Sequence, residues 1–218
     1  MKKIFNKTSV VVCCAISSLL IGNTVLAVDP DQPPEGSVYI ENIVYGGSGC
    51  PQDSVGISIA TNGLNFGVSF DQYIAGIGDD FGRADQRKSC DLRVNLRVPP
   101  GYAYTVADLT YRGYAEMDRG IFASMSSTYH FQGEALEAGF VKNMRGPIEE
   151  DFTYTDSLDL ESFVWSSCGA TAPLVLKTTM KLKKARFTPP ESGGTIGVDS
   201  VEGKLTHEYG LLWKKCEG

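Results

Sequence analysis

The chain has 218 residues, with 26 acidic against 20 basic side chains, two histidines and a formal net charge of −6. An acidic protein repels nucleic acid and anionic membrane surfaces, so neither is an expected partner unless one face is locally basic. No run of Lys or Arg exceeds two residues, as in Lys183-Lys184 and Lys214-Lys215.

The first residues carry Lys2, Lys3 and Lys7, followed by an uncharged, mostly apolar run from Val10 to Ile21 and then Val25-Leu26-Ala27. A basic head, an apolar middle and small residues at the peptidase positions predict a secretory signal peptide over residues 1–27, cut after Ala27. A membrane anchor needs about 20 apolar residues. Ser17, Ser18, Asn23 and Thr24 interrupt this run, and no later stretch is long enough to span. Lipidation at Cys13 or Cys14 is disfavoured, because Val12 and Cys13 stand where a small residue is wanted. Cleavage removes three lysines and no acid, leaving 17 basic against 26 acidic side chains in 191 residues, a net charge of −9. That length suits one domain. Residues 28–37 are acidic and proline-rich, so they are expected to be a flexible N-terminal segment, with one domain over residues 38–218.

Four cysteines survive processing: Cys50, Cys90, Cys168 and Cys216. In an exported chain an even count reads as disulfides rather than metal ligands. Three pairings are open. Cys50 with Cys90 and Cys168 with Cys216 is the expected one, because each intervening segment folds back on itself. The second pair assumes a hairpin centred near Ser192, and one detail disagrees with it. Strict register sets the apolar even positions Leu174, Leu176, Met180 and Leu182 against even positions such as Lys204, whereas the apolar set there is odd. A one-residue bulge would repair the mismatch. Each closed loop of roughly 40–50 residues is worth about 3–4 kcal/mol in the loop-entropy model.

In chain order, residues 38–45 read as a strand ended by Gly46-Gly47-Ser48-Gly49 before Cys50-Pro51. A glycine cluster beside a disulfide points to close backbone approach; a phosphate loop would need a following helix and a Lys, and neither is present. Residues 54–61 and 64–70 flank Asn62-Gly63, a hairpin signal. Residues 71–89 lose all periodicity, and long loops are often functional. Asp79, Asp80 and Asp85 offer oxygen ligands to calcium, but the regular spacing and the bidentate Glu are missing, so a solvated loop tied by Cys90 is expected.

Residues 90–98 alternate without error: Cys90, Leu92, Val94, Leu96 and Val98 against Asp91, Arg93, Asn95 and Arg97. Period two with one apolar face is a half-buried antiparallel strand. After Pro99-Pro100-Gly101 a meander is expected: residues 102–112 and 114–117, with Gly113 as a bulge glycine, a turn at Asp118-Arg119-Gly120, and residues 121–131. Residues 135–144 are assigned to a strand, because Gly139 weakens a helix. Strands at 151–156 and 158–165 follow. Residues 174–184 and 201–213 are expected to form a long hairpin whose 187–198 connection, with two prolines and three glycines, is mobile. Many short strands, turn signals throughout and no convincing helix predict an all-β fold, an antiparallel β-sandwich or jelly roll stapled by two disulfides.

Five spaced blocks add a resemblance: Tyr45-Gly46-Gly47-Ser48-Gly49-Cys50-Pro51, Arg87-Lys88-Ser89-Cys90, Thr110-Tyr111-Arg112-Gly113-Tyr114, Trp165-Ser166-Ser167-Cys168-Gly169 and Leu212-Trp213-Lys214-Lys215-Cys216. Together they resemble the DUF4360 family of small secreted proteins from bacteria and fungi, over nearly the whole mature chain and all four cysteines. The resemblance implies secretion, one β-rich domain and two disulfides, and brings no catalytic residue with it.

Chemistry-bearing residues are sparse. His130 and His207 lie 77 positions apart, each in an expected strand, and with the cysteines in disulfides neither a metal site nor a cofactor is expected. No Gly-x-Ser-x-Gly elbow is present. Glycoside cleavage needs two carboxylates across a cleft; Glu149-Glu150-Asp151, Asp156 and Asp159, with Glu116 and Asp118, are the candidates, although such acids also suit the wet face of edge strands. Sugar binding asks only for exposed aromatics with polar neighbours. Tyr102, Tyr104, Tyr111, Tyr114, Tyr129 and Tyr154 crowd the middle strands, and Tyr111, Arg112, Tyr114 and Tyr129 are the candidate ligand-binding residues. The expected function is therefore that of a non-enzymatic secreted or periplasmic β-sandwich binding a glycan or protein. A secreted polysaccharide hydrolase and a structural envelope protein are the alternatives.

Overall fold

A computed structural model describes residues 31–170, 172–197 and 205–217; the signal peptide expected over 1–27 lies outside them. Alternating apolar residues build the strands, and two antiparallel sheets bury their apolar faces against each other. The first sheet orders β1 (Tyr39–Gly46), β5 (Arg87–Arg97), β10 (Leu174–Lys184), β7 (Ile121–Phe131) and β8 (Ala138–Arg145). In the second, β2 (Val55–Ile59), β3 (Asn65–Phe70) and β12 (Leu205–Lys215) lead to β6 (Tyr102–Met117), and β9 (Ile148–Ser157) pairs with the opposite edge of β6. Beyond the end of β12, β6 pairs instead with β11 (Gly194–Gly197), which carries β4 (Ala75–Ile77). Among the described residues no helix is long and apolar enough to cross a membrane.

The fold is the expected antiparallel β-sandwich. The best-patterned stretch lies inside the first sheet, between β1 and β10, with Cys90, Leu92, Val94 and Leu96 of β5 buried and Asp91, Arg93 and Arg97 exposed. Both disulfides join the expected partners, Cys50 with Cys90 and Cys168 with Cys216.

The route to the second disulfide is not the expected one. β10 pairs with β5 and β7, and β12 with β3 and β6, so the two strands lie in different sheets and form no hairpin. The parity mismatch vanishes with the hairpin, because the strands share no register. Instead β6 brings the cysteines together: the amides of Gly169 and Cys216 donate to the carbonyls of Tyr102 and Gly101, at 2.8 and 2.9 Å. The expected meander is likewise absent, since the chain crosses from β5 to β6 and from β6 to β7 between sheets.

Four further segments differ from expectation. Residues 71–89 contain β4 and the start of β5. The 187–197 part of the expected mobile connection contains β11, held between β4 and β6. Residues 158–165 hold a 3-10 turn, Leu160–Ser162, rather than a strand. Residues 31–37, expected to be flexible, bury Pro33 and donate the Gly36 amide to the Thr61 carbonyl at 2.9 Å.

Gly113 makes no bulge. β9 keeps register through it, with Arg112 opposite Thr153 and Tyr114 opposite Asp151. A Cβ there would strike the Gly197 carbonyl oxygen and stand 2.7 Å from Leu205 Cδ1, at the point where β11 takes over from β12 beside β6. Glycine is present because two backbones meet.

Candidate functional site

Alternation along β6 decides which of the candidate residues can meet a ligand. Leu109, Tyr111, Ala115 and Met117 are buried, whereas Arg112 and Glu116 are exposed and Tyr114 is half-exposed. The four candidates thus divide between two faces. Tyr111 and Tyr129 are 0 % and 1 % exposed and belong to the core, so they are withdrawn as surface ligand contacts. Tyr129 is a strut between the layers: its hydroxyl donates to the Val106 carbonyl at 2.8 Å, lies 3.0 Å from Thr105 Oγ1 and accepts from the Val164 amide at 3.4 Å. Tyr209 reaches Ser127 of the opposite sheet at 3.0 Å, and Tyr73 accepts from Thr178 at 3.0 Å. Tyr73, Tyr129 and Tyr209 thus fill the interior with their rings while each hydroxyl finds a polar group across the sandwich, whereas the buried Tyr111 hydroxyl has no hydrogen-bond partner among the described residues.

His207 is another interior residue. Its ring meets Phe70 and Tyr111 edge-on, with centroids 5.3 and 5.0 Å apart. Burial holds its pKa down to about 3, so it is a neutral core residue. His130 lies near the surface, 3.8 Å from a Glu137 carboxylate oxygen. Among the described residues no three His, Cys, Asp or Glu side chains are grouped to hold a metal ion.

Arg112 and Tyr114 point outward from the second sheet. Arg112 lies between Thr206 and Thr153, and Tyr114 between Gly197 and Asp151. The Tyr114 hydroxyl is pushed above its ordinary pKa by desolvation first and then by Glu116, Glu149 and Asp151. Beyond Tyr114 lies a cleft of about 430 Å³ lined by Ile77, Gly78, Asp79, Asp80, Phe81, Glu116, Asp118, Glu191, Gly193, Gly194 and Thr195. Its floor is one row across the sheet: Gly76 pairs with Thr195, Thr195 with Glu116, and Glu116 with Glu149. The Phe81 ring rests directly on Gly76, where any side chain would displace it. Asp118 is fixed at the rim, since the Gly193 amide donates to its carboxylate at 2.7 Å and its own amide donates to the Gly193 carbonyl at 2.9 Å.

The cleft joins two stretches that the sequence offers separately, the 71–89 loop and the acids ending β6. Glu191 and Thr195 come from a segment expected to be a mobile connection, and no periodic signal marks them. Asp85 stays out of the cleft; it accepts from the Gly82 amide at 2.9 Å and pairs with Lys88 at 2.8 Å. Lys88, followed by the Gly82 amide, holds its carboxyl below the usual range. Glu150 and Asp156 lie six residues apart on one side of β9, at about 3.4 Å per residue, and do not face each other across a cleft.

Solved structures over which this chain aligns broadly include a TmCBM61 carbohydrate-binding module in complex with β-1,4-galactotriose, at 10 % identity and TM-score 0.27, covering 81 % of this chain and 90 % of that one. A second is a family 11 carbohydrate-binding module from Clostridium thermocellum in complex with a β-1,3-1,4-mixed-linked tetrasaccharide, at 10 % identity and TM-score 0.25, covering 84 % and 92 %. Superpositions that loose carry no argument about a ligand. Sequence relatives are more informative. An uncharacterized secreted protein of Arthroderma benhamiae is 32 % identical over 190 residues, 87 % of this chain and 74 % of the relative. The two disulfides suit the oxidising compartments that exported proteins reach, and the protein is secreted. The family described as a domain of unknown function, DUF4360, matches residues 36–216, so this chain belongs to the DUF4360 family.

Proposed function

We propose that this protein is a secreted, non-enzymatic glycan-binding β-sandwich whose ligand lies in the acidic cleft on the outer face of the second sheet. The observation that carries the reading is the Phe81 ring packed on Gly76 beside Thr195 and Glu116, with the half-exposed Tyr114 two residues from Glu116 on the same face of β6, so that two aromatic rings lie near acceptors above a floor of glycine and threonine. Sugar rings lay their C–H faces on aromatic rings, and carboxylates accept from hydroxyls, so this combination serves a saccharide better than an apolar ligand. Adjacent strands are about 4.8 Å apart, which spreads these groups over the width of a few sugar units. Arg112, next to Tyr114 along β6, extends the polar surface.

A glycan array with the purified secreted protein tests the reading, followed by titration calorimetry on any hit. Binding is expected to weaken at least tenfold (about 1.4 kcal/mol) in Phe81→Ala and in Glu116→Gln. No binding to any glycan, or binding untouched by both substitutions, rejects it. Release of reducing ends that disappears in Glu116→Gln replaces it with the hydrolase reading.

A further inference from the structure

One end of the other face of the sandwich carries a cluster of basic side chains. Outward residues at one end of the first sheet place Arg87 opposite Lys181, Lys181 opposite Ser124, and Lys183 opposite Phe122, which pairs on its far side with Arg145. These four cations are exposed and come from β5, β10 and β8, so no run of basic residues reveals them. A concavity of about 400 Å³ opens among them, lined by Phe122, Ser124, Asn143, Lys181 and Lys183. No carboxylate among the described residues lies within ion-pair distance of the four. Two of them rest on the aromatic ring instead: Arg145 Cζ lies 5.3 Å and Lys183 Nζ 5.9 Å from the Phe122 centroid. A ring orients a cation without neutralising it, so both remain available to an anion.

We propose that this groove binds an acidic polysaccharide, a chain of carboxylate-bearing sugars. Charge complementarity is the first reason, because these cations stand unpaired on a chain whose formal charge is −6. Geometry is the second. Cations two residues apart on β10 are separated by about 6.6–7 Å and those on adjacent strands by about 4.8 Å, an array that meets regularly spaced anions on a linear polymer. Ser124 and Asn143 add hydroxyl and amide donors and acceptors between the cations. This surface lies on the opposite sheet from the acidic cleft and does not depend on it.

The test is binding of the full secreted protein to polygalacturonate, followed by affinity electrophoresis at 20 and 300 mM salt. Binding is expected at low salt, to weaken more than tenfold at high salt, and to be lost in Lys181→Glu/Lys183→Glu and in Arg145→Glu. Lys177→Glu, on the same strand but opposite Asp91, is expected to stay within twofold of the parent. Glu116→Gln is expected to leave this binding unchanged, which separates it from the cleft. Failure to bind overturns the proposal, as does equal loss in Lys177→Glu. Tighter binding to duplex DNA than to polygalacturonate also overturns it. So does salt-sensitive self-association abolished by Lys181→Glu/Lys183→Glu without polymer binding, which assigns the groove to the acidic face of a second copy.

Discussion

His207 makes acid stability a single-residue property. The unfolded histidine binds a proton near pH 6.5, whereas the buried one titrates near 3. Above pH 6.5 both states are neutral and the residue is indifferent to pH. As pH falls from 6.5 toward 3 only the unfolded state gains the proton, so stability is lost at up to about 1.4 kcal/mol per pH unit. Urea midpoints at pH 7, 5.5 and 4 are expected to fall more steeply in the parent than in His207→Leu; parallel slopes would refute this. Alkali acts through the tyrosines. Desolvation first, and lesser neighbouring charges, push Tyr73, Tyr104, Tyr111 and Tyr209 upward, so stability is expected to drop above about pH 10, where unfolded tyrosines ionise. Tyr129→Phe removes the hydroxyl that meets Thr105, Val106 and Val164, leaving buried groups unpaired. A loss of about 1–3 kcal/mol is expected in chemical denaturation.

Strands are legible one at a time but do not name their neighbours. An apolar-polar alternation states that a strand has one wet face, and β5, β7, β10 and β12 all carry it. Any half-buried slot in either sheet satisfies that pattern, so β10 and β12 look like hairpin arms although they lie in different sheets. Cys168 and Cys216 are adjacent because both flank the start of β6. Replacing both with serine opens a loop of 48 residues and is expected to cost about 3–4 kcal/mol, measured as a lowered denaturant midpoint with function at the distant cleft retained. Gly113→Ala places a methyl against the Gly197 backbone and Leu205, so it is expected to lower the melting temperature by several degrees; an unchanged value would show that β11 yields at no cost.

Over the whole molecule two charge clusters lie on opposite sheets. Acids from residues 79–80, 116–118 and 191 gather at the cleft, and cations from β5, β8 and β10 gather on the opposite sheet. Like charges crowded at a ligand site cost stability in its absence. Asp80→Asn combined with Glu116→Gln is therefore expected to add about 0.5 kcal/mol or less of stability, read as a slightly higher melting temperature, and more at low ionic strength, where screening is weakest. A fall in melting temperature would mean that those carboxylates hold the loop rather than await a ligand.

Local pattern alone determined the class and the number of disulfides: alternating strands and an even set of cysteines are written in neighbouring residues. It also placed Glu116 and the 71–89 loop under suspicion. Tertiary structure decided which face each residue serves and which strands touch. Tyr111 and Tyr114 are three positions apart, yet the period of two sends one into the core and the other to the surface. Asp79, Glu116 and Glu191 lie far apart in sequence and line one cleft, because β4 and β11 are carried on β6 by strand pairing, and hydrogen-bonded backbones leave no mark of their partner in the side-chain pattern.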